Sequence, residues 1–217
     1  MVSIYLNIFN FIVIKILLKR MRTMSKRLTI EEYNRIAYAK IKLKELLDSP
    51  NCIELIRQNP NYDYMMHVIA HRDAFARLEA HTVYHGRFSP SHDIEKVGLG
   101  LVLGRETTKY IHKKTAPHHN VDWYNPNFDI LTEKVFDWES CHYTKLKSPE
   151  TAYDYVGLAY PDKLQLLKPI LSELGLWDKH NVNPLQPEQY EKIVSSIHDE
   201  HILAELRKSY AYICENF

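Results

Sequence analysis

Histidine and aspartate side chains are concentrated in one stretch of this sequence. Eight of the 12 histidines lie between positions 67 and 119, and Asp93 and Asp137 lie inside or just after that window. Neutral imidazole and carboxylate groups are the ligands that borderline divalent metal ions prefer. The clustering therefore predicts a site for one or two divalent ions, and the sequence leaves the metal open among Mn, Fe, Co, Ni, Zn and Mg.

The spacing of these residues limits how they could share an ion. His67 and His71 are four residues apart, so on a helix both would lie on one face. His92 and Asp93 are adjacent, and adjacent residues on a helix diverge by about 100°. They can share an ion only at the edge between them, with other helices supplying the remaining ligands. This requirement indicates His71 and Asp137 as partners.

The order of these residues resembles that of the HD superfamily of metal-dependent phosphohydrolases. In that superfamily a histidine on one helix precedes an adjacent His-Asp pair on the next, and an aspartate follows on a later helix. His71, the pair His92 and Asp93, and Asp137 have this order. The resemblance implies a helical fold with a metal centre built from these four residues. The identity of the first histidine stays open among four candidates, His67, His71, His81 and His85.

The chain is similar in more detail to a family of small HD-like proteins from bacteria and phages. In that family the His-Asp pair is followed by a lysine, then by a His-His pair and an Asp-Trp pair. The corresponding segments here are HDIEK, PHHN and FDWES, which add Lys96, His118, His119 and Trp138 to the residues above. The resemblance covers residues 66–155.

A centre of this kind would have a defined chemistry. A metal ion held by the four residues of the HD order would lower the pKa of a bound water molecule and polarise a phosphoryl oxygen. His118 and His119 would hold a second ion with Asp93 as the bridge, or one of the two would bind the substrate phosphate as an imidazolium.

Three basic side chains are candidates for binding the phosphate of a substrate. Lys96 lies one turn after Asp93, and Lys145 lies about two turns after Asp137, so both could reach the opening of the predicted metal site. Arg87, in the loop before the His-Asp pair, is a candidate of the same kind. Asp93 and Lys96 are the predicted catalytic residues, since one holds the metal and the other would stabilise charge on the phosphate.

The predicted function is that of a divalent-metal-dependent phosphohydrolase, which acts on a small phosphorylated substrate, a phosphoester such as a nucleotide. Two alternatives stay open. An HD-type di-iron oxygenase would use the same ligands, and Glu139 with His142 has the ExxH spacing of di-iron helical bundles. A non-catalytic helical module that binds a structural metal or a partner protein is the other.

A second HD dipeptide lies near the end of the sequence. Only 18 residues follow His198 and Asp199, so no later helix remains to supply further ligands. We interpret this pair as part of the polar face of a terminal helix.

Apolar residues recur at helical spacing along most of the chain. Thr29 and Glu32 have the spacing of a capping box and predict the start of a first helix. A further helix should begin near Ser91, and Ser148 is the predicted cap of another. The remaining predicted helices cover residues 52–57, 64–84, 105–114, 130–145, 149–159, 162–174 and 186–215. No run alternates long enough to predict a strand. The sequence thus predicts an all-α protein, with a single helical domain over residues 24–217 that includes a C-terminal helical extension.

The composition excludes several classes of protein. The 28 Lys and Arg residues against 27 Asp and Glu give a formal net charge of +1, so no global field draws the chain to nucleic acid or lipid. The three cysteines are scattered and odd in number, which fits neither a disulfide framework nor a zinc knuckle and predicts a reducing, cytoplasmic location. The sequence does not specify an oligomeric state.

Residues 1–23 form an apolar N-terminal extension of different character. Lys15 interrupts the apolar run, and Asn7 and Asn10 weaken it further as a membrane-spanning helix. Its positive charges follow the apolar run, whereas those of a secretory signal precede it. Two interpretations stay open: the functional protein begins at Met24, or the segment is a weak membrane anchor.

Overall fold

We describe the chain from a computed structural model, which covers residues 28–146, 150–181, 183 and 185–217. Within these ranges there are ten α-helices and no strand, so the predicted all-α fold is confirmed. In chain order the helices are α1 (Ile30–Leu47), α2 (Cys52–Arg57), α3 (Tyr62–Ala80), α4 (Ile94–Leu103), α5 (Arg105–Thr115), α6 (Phe128–His142), α7 (Ala152–Ala159), α8 (Leu164–Glu173), α9 (Pro187–Ser195) and α10 (Asp199–Asn216). Short 3₁₀ turns cover Pro117–His119 and Pro161–Lys163.

Helix α1 begins as its sequence predicts. The backbone N–H of Glu32 donates to Oγ1 of Thr29 at 3.2 Å, and the backbone N–H of Thr29 donates to Oε2 of Glu32 at 2.6 Å. This reciprocal capping box satisfies two backbone donors that no helical carbonyl can reach. Lys114 of α5 adds an ion pair to Glu32 at 2.6 Å and so ties the start of α1 to the end of α5.

Several predicted helix boundaries are wrong. The helix expected over residues 64–84 ends at Ala80. The helix expected near Ser91 begins only at Ile94, because hydrogen-bonded turns over residues 88–92 precede it. The single helix expected over residues 186–215 is two helices, α9 and α10. His198 between them has an extended backbone, and Ile197 packs against the main core. The predicted cap at Ser148 lies outside the described residues.

The main core lies between α1, α3, α4 and α10. Gly98 of α4 allows these helices to approach closely, because a Cβ atom there would lie 2.8 Å from Cδ1 of Leu43 on α1 and 2.9 Å from Oγ of Ser209 on α10. The backbone N–H of Gly98 donates to that same Oγ at 2.9 Å. The fully buried apolar side chains of this core include Leu43, Ile69, Leu99, Leu206 and Ile213.

A second apolar core joins α6, α7 and α8 through buried residues such as Leu131, Val156 and Leu171. A small aromatic cluster of Phe75, Phe88 and Phe136 lies where α3, the turn before α4 and α6 meet. The buried histidines and aspartates lie beside this junction, so they are supported from both cores. No described helix is both long enough and apolar enough to cross a lipid bilayer.

Helix α10 is part of the main core rather than an appended extension, and Leu206→Ala tests this. Leu206 is fully buried, so we expect the substitution to lower the free energy of unfolding by about 2 to 5 kcal/mol, measured by urea denaturation. Arg207→Ala, an exposed neighbour on the same helix, should change it by no more than about 0.5 kcal/mol. A loss of unfolding free energy in Leu206→Ala as small as that in Arg207→Ala would show that α10 is peripheral.

Candidate metal centre

Four side chains of the HD order converge on one buried point. His71 comes from the middle of α3, Asp137 from α6, and His92 with Asp93 from the turn that leads into α4. Nε2 of His71 lies 3.1 Å from Oδ1 of Asp137 and 3.8 Å from Oδ2 of Asp93. Nε2 of His92 lies 3.6 Å from that Oδ1 and 3.8 Å from that Oδ2. The choice of His71 among the four candidate histidines is therefore supported by geometry.

The backbone at Asp93 explains how two adjacent residues face the same point. Asp93 has left-handed dihedral angles, with φ 55° and ψ 12°, and occupies the N-cap position of α4. This corrects the sequence-based expectation that His92 and Asp93 lie on the helix and diverge by a helical step. Aspartate is one of the few residues besides glycine that adopt this conformation readily. The turn directs both side chains inward, and no edge position is needed.

A second set of imidazoles lies on the other side of Asp93. Nε2 of His112 is 3.1 Å from Oδ1 of Asp93, and Nε2 of His118 is 3.9 Å from the same oxygen. His119 completes a group of three histidines whose ligand atoms all lie within 4.8 Å of one another. The two oxygens of Asp93 thus face two different groups of donors, as a bridging carboxylate does.

The four buried histidines share one orientation. Nδ1 of His92 and Nδ1 of His118 each lie 3.1 Å from Oε1 of Glu133, and Nδ1 of His112 lies 2.5 Å from Oε1 of Glu95. Nδ1 of the fourth residue, His71, lies 3.3 Å from the hydroxyl oxygen of Thr144. Each ring therefore uses Nδ1 toward the protein and leaves Nε2 facing the centre, which is the arrangement that partners in the outer shell impose on metal-binding histidines.

Unpartnered buried atoms mark the same place. Five buried side-chain atoms in the described part of the chain lack a partner in hydrogen-bond geometry, and four of them are Nε2 of His92, His112 and His118 and Oδ1 of Asp93. A buried polar atom without a partner costs about 1 to 3 kcal/mol. Ligand atoms about 2.1 Å from one ion lie about 3 to 3.5 Å apart, close to the distances found here. The donor set therefore fits divalent metal ions.

Electrostatics at the centre agree with this fit. Burial alone would lower the pKa of His92, but Asp93, Asp137 and Glu133 outweigh it and raise that pKa to about 10. Burial likewise opposes ionisation of Asp93, yet Lys96 and the nearby histidines hold its pKa well below the ordinary value. Histidines hold the pKa of Asp137 well below its ordinary value in the same way. A centre with ionised carboxylates attracts cations, and a divalent ion would replace the proton on His92.

Two contacts fix His92 from behind. Its ring stacks on Phe75, with ring centroids 4.0 Å apart, and its backbone carbonyl accepts a hydrogen bond from Nη1 of Arg72. Arg72 is itself buried and donates through Nε to Glu205 of α10 at 2.8 Å. The last described helix therefore helps to position a ligand of the centre.

A cavity of about 980 Å³ opens onto the centre, and His71, Asp93, His112, His119 and Asp137 all line it. Lys96 also lines the cavity, where Nζ forms an ion pair with Oδ2 of Asp93 at 2.6 Å. Burial would lower the pKa of Lys96, but Asp93 and Asp137 outweigh it and raise that pKa. Lys145 lines the cavity as predicted.

Other candidate residues lie elsewhere. Arg87 does not line the cavity, because its half-exposed side chain forms an ion pair with Asp129 on the surface at 2.5 Å. This does not support the predicted role of Arg87 in phosphate binding. His81 and His85 are exposed and outside the described metal-binding groups. His67 lines the cavity, but Nδ1 of its ring lies 3.2 Å from the hydroxyl of Tyr190.

Glu139 of the ExxH pair and Asp199 of the second HD dipeptide do not join the centre. Glu139 accepts hydrogen bonds from the backbone N–H of Ala152 and from Nζ of Lys179, both at 2.9 Å, so its carboxylate faces α7. The ExxH spacing thus gives no ligand pair here. Asp199 forms an ion pair with Arg57 at 2.8 Å, which is consistent with a polar face at the start of α10.

Three contributors were absent from the predicted site. His112 belongs to the histidine cluster, and its position together with Thr108, Ile111 and Thr115 on the buried face of α5 is a signal that helical spacing could have given. Glu95 and Glu133 carry no comparable signal, since the sequence holds many carboxylates on helices.

No family model, no curated protein and no solved structure matches this chain.

Asp93→Asn should remove most of the metal that the centre binds. The amide keeps the shape and tolerates the left-handed backbone, but it removes the charge that both donor groups share. Metal content after gel filtration, measured by mass spectrometry, is the readout. Asp199→Asn, in the other HD dipeptide, should retain the full content. Equal loss in the two variants would mean that Asp93 does not hold the ions.

Glu133→Gln should weaken metal binding by about 10-fold to 100-fold without unfolding the protein, because it removes the carboxylate that orients the rings of His92 and His118. Competition with a chromophoric chelator measures the affinity. Glu54→Gln, on the exposed face of α2, is the control. Unchanged affinity in the Glu133 variant would rule out this supporting role.

Proposed function

We propose that the protein is a metal-dependent phosphohydrolase with two divalent ions bridged by Asp93. The observation that supports this most directly is the placement of the Asp93 carboxylate. Its Oδ2 faces Nε2 of His71 and His92, and its Oδ1 faces Nε2 of His112 and His118. The resemblance to the HD superfamily agrees with this reading.

Each ion would have its own ligands. His71, His92 and Asp137 would hold the first ion together with Oδ2 of Asp93. The second would be held by Oδ1 of Asp93 with His112, His118 and His119, where the sequence alone indicated only the His-His pair. Two such ions supply Lewis-acid stabilisation of a phosphoryl group and an activated water molecule.

The protein's own side chains add positive charge beside the ions. Lys96 is held against Asp93 on the wall of the cavity, and its raised pKa keeps it protonated. An ammonium fixed in a recessed site stabilises negative charge that develops on a phosphoryl oxygen, without having to reorganise during the reaction. A cavity of about 980 Å³ is at the upper end of the range for small-molecule sites, which suits a substrate of nucleotide size.

The full-length protein with added Mn²⁺ or Co²⁺ should release phosphate, or a phosphomonoester, from a member of a phosphoester panel, equally fast with and without dioxygen. His92→Ala, Asp93→Asn and Asp137→Asn should each lower kcat/KM by more than about 10³-fold, because loss of a ligand disables the chemistry. Lys96→Ala should cause a smaller loss of about 10²-fold to 10³-fold, as expected for one electrostatic contact.

The oxygen comparison separates hydrolysis from the oxygenase alternative. Oxygenation consumes dioxygen and requires a redox-active metal, whereas hydrolysis requires neither. Absence of turnover over the whole panel with every metal, together with oxygen-dependent consumption of a substrate by the iron form, would overturn the phosphohydrolase proposal. Full metal binding without either activity would favour a non-catalytic helical module.

A further inference from the structure

A row of basic side chains follows one face of α5 along the cavity. Arg105, Lys109 and Lys113 are spaced four residues apart, which places them on one side of the helix with about 6 Å of axial rise between neighbours. All three line the cavity that contains the metal centre, and Lys145 lines it as well. We call these four residues the basic row.

The basic row has no direct ion-pair partner among the described residues. Across the described residues, none of its members takes part in an ion pair within 4.0 Å. Like charges four residues apart destabilise a helix by a few tenths of a kcal/mol per pair. Burial and then the charge of Arg105 lower the pKa of Lys109, with Glu106 opposing and Lys145 and Lys113 adding to the effect. The row is therefore a local concentration of positive charge that no ion pair offsets among the described residues.

We propose that the basic row is a second anion subsite, which binds a further phosphate group of a small substrate whose scissile phosphate lies at the metal centre. This inference rests on the proposed function and narrows the substrate class to molecules with at least two phosphate groups. The row is separate from the ligands, because none of its four members belongs to a described metal-binding group. A substrate with two phosphate groups could therefore place one at the metal centre and the other at the row.

A small molecule fits this cavity better than a nucleic acid strand. The cavity has the volume of a small-molecule site, and the formal net charge of the chain is only +1. A protein that binds a nucleic acid backbone normally extends its positive charge along the strand. Asp63 at the cavity wall would repel such a strand.

Phosphonates test the subsite independently of catalysis, because their C–P bonds are not hydrolysed as esters are. Calorimetry on the full chain with its metals would compare an alkylphosphonate with alkane-α,ω-bisphosphonates of increasing spacer length. At the best spacer length, we expect the bisphosphonate to bind about tenfold or more tightly than the monophosphonate. Metal content measured after each titration confirms that the ions remain.

The variant Arg105→Gln/Lys109→Gln should abolish this advantage and leave monophosphonate affinity within about twofold. Lys145→Gln, on a different segment, should reduce the advantage partly. Arg35→Gln/Lys40→Gln on α1 is the matched control, because it removes one arginine and one lysine outside the cavity, and it should leave the advantage unchanged.

The inference is overturned if no spacer gives an advantage, if the advantage survives in the Arg105 and Lys109 variant, or if the control loses it equally. Tighter, row-dependent binding of a ten-nucleotide single strand than of every bisphosphonate would overturn the small-molecule class. Failure of the proposed function has a different signature, since no member of the phosphoester panel would then be turned over, whatever the bisphosphonates show.

Discussion

The whole centre depends on the carboxylate of Asp93 and on the left-handed turn that aims it. Aspartate adopts this conformation more easily than most other residues with a side chain, but the surroundings must still enforce it. Here the enforcement comes from Lys96, which pairs with Oδ2, and from Arg72, which holds the carbonyl of the preceding residue. With any other side-chain direction at this position, one of the two histidine groups would lose its shared oxygen.

The surrounding helices hold this arrangement in place, and they do so partly by burying charged side chains. Arg72 and Glu205 form a buried ion pair, and removing one partner of such a pair leaves an uncompensated charge that is expensive to bury. Phe75 fills the space behind the ring of His92, so its imidazole cannot rotate away from the centre. The two apolar cores therefore do more than stabilise the chain, because they hold the donors at fixed distances before any ion arrives, as preorganised sites require.

Sequence reasoning reached the helical class, the capping box of α1 and the four residues of the HD order, because residue type and order carry those signals directly. It did not reach Glu95 or Glu133. Whether a carboxylate on a helix turns inward depends on which helices pack against it, and no local pattern records that. It also placed His92 and Asp93 on a helix, since a dipeptide gives no sign of a left-handed backbone. The prediction that Arg87 binds phosphate lacks support for a similar reason. Arg87 is close to the His-Asp pair along the chain, but it does not line the cavity.

One carboxylate oxygen of Glu133 is shared by rings that would serve different ions, and this has a consequence for how the centre fills. An ion bound at Nε2 of His92 would strengthen the hydrogen bond between Nδ1 of that ring and Glu133. The same Glu133 oxygen also lies 3.1 Å from Nδ1 of His118. Asp93 links the two positions a second time. The two positions would therefore be energetically linked, and a change in the ligands of one would alter the affinity of the other.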